Sequence, residues 1–98
     1  MAMKLWFKNS RGEERVIKNT ALTWEEVNTA IDEFIHRCNV NKINASKRMY
    51  GDDYDPAKVN LFTRYYTRVW EQEDGRTCID VGSHTEFFIW EGKYERDI

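Results

Sequence analysis

The stretch Thr23-Trp24-Glu25-Glu26 constrains this chain more than any other. It is a capping box: the Thr23 hydroxyl can accept from the Glu26 N–H, and the Glu26 carboxylate can reach back to the cap. Behind it Trp24, Val27, Ile31, Phe34, Ile35 and Cys38 recur at helical spacing, so a helix over about Trp24–Cys38 is expected to bury that face. Leu22 and Val27 are placed to form a hydrophobic staple. Glu25 and Glu26 suit the positive end of the helix dipole. Glu25, Asp32 and Glu33 lie off the apolar face as an acidic outer surface, and Asn39 is a reasonable stop.

An apolar stripe needs a surface to lie on, and the rest of the chain reads as strands. Met3, Leu5 and Phe7 alternate with Lys4, Trp6 and Lys8; after the turn cluster Asn9-Ser10-Arg11-Gly12, Glu14 to Lys18 returns. Leu61 to Gln72 is long, aromatic and β-branched, and Asp74-Gly75 signals a hairpin into Thr77–Val81. Gly82-Ser83 is a candidate bulge, after which Glu86–Trp90 continues that strand or forms another, ahead of a charged tail from Lys93 to Ile98. Asn39 to Asn60 is the weakly patterned part: Asp55 capping a turn that starts at Pro56 makes it a short helix, and otherwise it is a functional loop. The order β-β-α-loop-β-β predicts an α+β fold, an antiparallel sheet of four to five strands with one main helix packed on one face. With 98 residues, the chain is expected to be a single domain, 1–98.

Composition excludes several classes of function. Lys and Arg number 15 against 17 Asp and Glu, which rules out a strongly basic nucleic-acid binder and disfavours an acidic mimic of DNA. An aromatic content of 14% is far above that of disordered chains. No apolar run approaches the ~20 residues of a membrane span. The first residues lack the apolar core of a signal peptide, so a cytoplasmic location is expected. In that reducing compartment Cys38 and Cys78 are not expected to pair. There is no phosphate-cradling Gly-rich loop and no nucleophile elbow, and Asp80, His84 and Glu86 lack a partner motif, so the chain is read as a non-enzyme.

Three sets of residues are candidates for a site. In the long strand, Phe62, Arg64, Tyr66, Arg68 and Trp70 alternate as a row of aromatics and arginines. Such a row can stack bases, anchor a protein partner, or be plain sheet surface. Its neighbours depend on register: a two-residue turn sets Ile79 and Val81 opposite Trp70 and Arg68, and a one-residue slip sets Val81 opposite Val69. The acidic residues Glu25, Asp32, Glu33, Asp52, Asp53 and Asp55 form a second set, suited to a basic partner. Asp52, Asp53 and Asp55 lack the terminal Glu of a calcium loop.

The third set is His36, Cys38, Cys78 and His84, the ligand types of one structural zinc ion, which a domain this small would use as a staple. Positions 36 and 38 point nearly opposite ways on a regular helix, so shared ligation requires fraying near Arg37. The alternative is two small core cysteines and two surface histidines.

Lys4-Leu5-Trp6-Phe7-Lys8, the Thr23-Trp24-Glu25-Glu26 helix start and Thr85-Glu86-Phe87-Phe88-Ile89-Trp90-Glu91 give the chain a general character. That character resembles the small anti-CRISPR proteins with which phages of Gram-positive bacteria inhibit Cas9. The resemblance covers most of the chain and lies in size, aromatic density and an acidic helix. It implies a phage-encoded inhibitor that binds a host defence nuclease, most plausibly Cas9, and occludes it without chemistry of its own. The near-neutral charge favours binding to a protein lobe over filling a DNA channel. The alternative function is a nucleic-acid-binding accessory protein using the Arg/aromatic strand face.

Overall fold

The computed structural model describes residues 3–94. The start of the chain and the tail beyond Tyr94 lie outside the described residues. The fold is α+β: strands β1 (Leu5–Lys8), β2 (Glu14–Lys18), β3 (Arg68–Glu71), β4 (Thr77–Asp80) and β5 (Phe87–Trp90), and one helix, α1 (Trp24–Tyr50). The strands form one antiparallel sheet in the order β2-β1-β5-β4-β3. Glu86–Trp90 therefore supplies a separate strand, and the sheet edges are β2, which closes the first hairpin, and β3, which opens the second.

The helix starts where the capping box puts it. The Thr23 hydroxyl accepts from the Glu26 N–H at 3.1 Å. The reciprocal bond differs from expectation: the Glu26 carboxylate accepts from the N–H of Leu22, one residue earlier, at 3.2 Å. Leu22 also stays 54% exposed, so no buried staple forms. Entry to the helix is fixed instead by buried Ala21, whose carbonyl accepts from the Trp90 indole N–H at 2.7 Å. Val27, Ile31, Phe34 and Ile35 are buried as the spacing predicts, in one cluster with Leu5, Ile79, Val81, Phe88 and Trp90 of the sheet side. Trp24 and Cys38 are half-buried against it.

Asn39 does not stop the helix. Its side-chain amide is engaged elsewhere, donating to the Phe62 carbonyl and accepting from the Phe62 N–H, both at 2.8 Å. No Gly or Pro interrupts the residues after it, and the helix runs on to Tyr50 before Gly51. Gly51 takes φ 55°, where a side chain is strained, and its N–H closes on the Lys47 carbonyl. The helix is thus 27 residues, about 40 Å long. Its buried residues end at Ile35 and none beyond Cys38 joins the core, and the described residues extend over 50 × 25 × 25 Å. The expected short helix at Pro56 is a single 3-10 turn, Pro56–Lys58, capped by the Asp55 carboxylate on the Ala57 N–H at 3.0 Å. A similar turn spans Gly51–Asp53.

The long strand expected over Leu61–Gln72 is strand only at Arg68–Glu71. Phe62 is tied to Asn39, and the Arg64 guanidinium bonds Asp32 and Asn28 on α1, which draws the segment off the sheet and onto the helix. The N–H groups of Tyr65 and Tyr66 both approach the Val81 carbonyl, at 2.9 and 3.4 Å. The β3–β4 register also matches neither expected one: Trp70 faces Cys78, Val69 faces Ile79 and Arg68 faces Asp80. The reason is a three-residue loop. Gln72 N–H donates to Arg76 C=O, Gly75 N–H donates to Gln72 C=O, and Gly75 holds φ 86°.

Candidate partner-binding surface

The register makes the sheet apolar on both faces. On the helix side lie Leu5, Phe7, Ile79, Phe88 and Trp90. On the other side the pairings Val16–Trp6, Trp6–Ile89, Ile89–Cys78 and Cys78–Trp70 run one row across all five strands. Ile89 and Cys78 in the middle are buried, while Val16 and Trp70 at the edges are 39% and 40% exposed. Burial pushes the Cys78 thiol up to about 11, so it is a neutral, packed group.

Arg76 partly closes this face. Its guanidinium lies 4.9 Å from the Trp6 ring and bonds Glu14 on the far edge strand at 2.7 and 3.1 Å, with β1 and β5 between. It also bonds Asp74 at 2.8 Å. The Arg76 hydrogen bond holds the Glu14 carboxyl below the usual range, and Arg76 backbone and side-chain bonds do the same to Asp74.

The other end of the face carries Tyr66, Arg68 and Trp70. The Arg68 guanidinium sits 6.0 Å from the Tyr66 ring and 5.6 Å from that of Trp70. Phe87 meets Trp70 edge-on at 5.9 Å. Beneath them lies Asp80, fully buried, accepting from Arg68 at 3.1 Å and from the Gly82 N–H at 2.9 Å. Burial alone raises the Asp80 carboxyl, but the bonds from Gly82, Arg68 and the His84 N–H together outweigh it and hold it below its usual value. His84 completes the cluster. Its backbone is in the left-handed region at φ 65°, the one non-glycine residue there among those described. Its Nε2 is 2.9 Å from the Tyr66 hydroxyl, and its Nδ1 is 3.5 Å from Asp80.

Of the predicted row, the structure thus brings together Tyr66, Arg68 and Trp70, whereas Phe62 packs against the core and Arg64 is spent on α1. The acidic residues do not form one surface. Glu25, Asp32 and Glu33 are exposed on the first half of α1, and Asp32 is paired with Arg64 at 2.8 Å. Asp52 and Asp53 lie past the far end, Asp55 is a cap, and the basic Arg37, Lys42, Lys47 and Arg48 stand between the two groups. The zinc set is dispersed: His36 is exposed on α1, Cys38 faces the core, Cys78 is on the opposite side of the sheet, and His84 is in the β4–β5 loop. Among the described residues no three of His, Cys, Asp and Glu gather as a metal-holding group. No described helix is long and apolar enough to cross a membrane.

Sequence reasoning missed Trp6, Arg76 and Phe87 as parts of this surface. The available signal was Asp80, a carboxylate inside the apolar run Thr77–Val81, which a strand tolerates only when a partner meets it. Neither a family model, nor a curated protein, nor a solved structure matches the chain.

Proposed function

We propose that this protein works by binding another protein, without chemistry of its own, and that Tyr66, Arg68 and Trp70 anchor the contact. One observation carries the reading: an arginine held between two exposed aromatic rings and fixed from beneath by a buried carboxylate. Tyr, Arg and Trp dominate interface hot spots, and Tyr and Trp offer large contact area at little entropic loss. The same geometry favours protein over nucleic acid as the partner. Arg64 is engaged on α1 by Asp32 and Asn28, and with 15 Lys and Arg against 17 Asp and Glu the chain has no cationic surplus for a phosphate backbone. The resemblance to anti-CRISPR proteins supports one target class, a host defence nuclease with Cas9 foremost, occluded by a bound inhibitor. The exposed carboxylates Glu25 and Glu33 would steer association with such a basic partner. The test is a pull-down with Cas9, with and without guide RNA, alongside cleavage at a molar excess of this protein. Complex formation with loss of cleavage is expected; undiminished cleavage across Cas9 orthologues with no complex on gel filtration overturns the nuclease target.

A further inference from the structure

We infer that the outer edge of β3 takes an extended segment of the partner as a sixth strand, with an acidic residue of that segment meeting Arg68. This rests on the protein-binding reading above and states which chemistry the partner must present. The hydrogen-bonding pattern sets the edge. Gln72 N–H to Arg76 C=O, at 2.8 Å, makes positions 72 and 76 a hydrogen-bonded pair. Such pairs alternate along an antiparallel ladder, so Trp70–Cys78 and Arg68–Asp80 are the next two. Val69 and Glu71 therefore turn their N–H and C=O away from β4, and no described residue pairs with them. Unpaired main-chain groups in a row are a template for strand addition.

The surroundings match an alternating strand. A groove of about 650 Å³ follows β3 and the first turns of α1. Trp24 and Tyr94, with rings 4.5 Å apart, wall it on the helix side, and Trp70 stands on the other face. Successive side chains of an added strand would fall to these two sides in turn. Among the described residues on its lining, Arg68 is the one with a charged side chain, and that side chain is 59% exposed. Asp80 takes one of its nitrogens, Nη2, and the remaining N–H groups of the fork are open to a second, incoming carboxylate.

The probe is a phage-displayed library of random seven-residue peptides, selected on the whole chain. The expected result is enriched peptides of β-branched character with an acidic residue. They should slow amide hydrogen exchange at Val69 and Glu71, which exchange fast in the free protein. Glu71→Pro removes one edge N–H without touching the β3–β4 ladder and should weaken the peptides at least about tenfold. Glu71→Ala loses the same Lys93 ion pair but keeps the N–H, and should bind within about twofold of the parent. Arg68→Gln should abolish the preference for an acidic residue. Overturning results are slow exchange at Val69 and Glu71 in the free chain, enrichment of no peptide that protects them, equal binding by Glu71→Pro, or self-association through β3. The two readings fail separately. Cas9 inhibition without edge-binding peptides removes the edge and leaves the nuclease, while edge-binding peptides on a chain that spares Cas9 do the reverse.

Discussion

The two faces of the sheet are built from the same kinds of side chain and meet different fates. On one, Phe7, Ile79, Phe88 and Trp90 lie under α1 and join Val27, Ile31 and Phe34 in a closed core. On the other, the row from Val16 through Trp6, Ile89 and Cys78 to Trp70 has no helix over it, and its cover is Arg76 across Trp6 and Arg68 across Trp70. The first face is specified by shape and buried area. The second is kept in water by charged side chains laid flat over rings, an arrangement that a partner can share or displace. An antiparallel sheet with one solvated face normally alternates apolar and polar. The departure from that alternation is what singles out the second face as the proposed binding surface.

Substitutions should separate the faces by stability. Phe34→Ala, on the covered face, should have the largest effect, about 3–5 kcal/mol, seen as a shift of the urea midpoint. A midpoint close to the parent's would mean that α1 does not close this core. Asp80→Asn comes next, at about 1–3 kcal/mol, because it weakens charge-assisted bonds to a fully buried group. Its pH dependence has a definite sign. The folded carboxyl is held below its unfolded value of about 3.9, so its stabilisation is present above that value and is lost as pH falls through the lowered one. The gap between parent and Asp80→Asn should narrow in acid; a gap that widens below pH ~4 would contradict the assigned network. Arg76→Ala should cost about 1 kcal/mol or less, since its partners are partly exposed, and should raise solvent exposure of Trp6 in fluorescence quenching.

How far these faces were legible in the sequence depends on range. The start of α1 and its buried stripe follow from local chemistry, the Thr23 cap and a period of 3.6. Its end does not, because the residue that looked like a stop, Asn39, is engaged by Phe62 from 23 residues away. The strand over Leu61–Gln72 has the right composition for its full length, yet Arg64 finds Asp32 and Asn28 on the helix, and tertiary pairing overrides propensity. Register was equally out of reach. Asp74-Gly75 signals a tight turn, but the loop includes Glu73 as well, and one residue decides which side chains share a face. Trp6 and Cys78 therefore could not be placed beside Trp70, though each was visible alone.

Trp70 should matter less to stability than Phe34, at about 1–3 kcal/mol, because part of its side chain already meets water on the open face. It should be the most important for binding. The direct measurement is the dissociation rate of the proposed Cas9 complex for the parent and for Trp70→Ala, with both chains shown to be folded at the assay temperature first. The account predicts a variant that folds like the parent and dissociates at least about tenfold faster, with inhibition of cleavage reduced to match. A Trp70→Ala chain that holds Cas9 as long as the parent would contradict it.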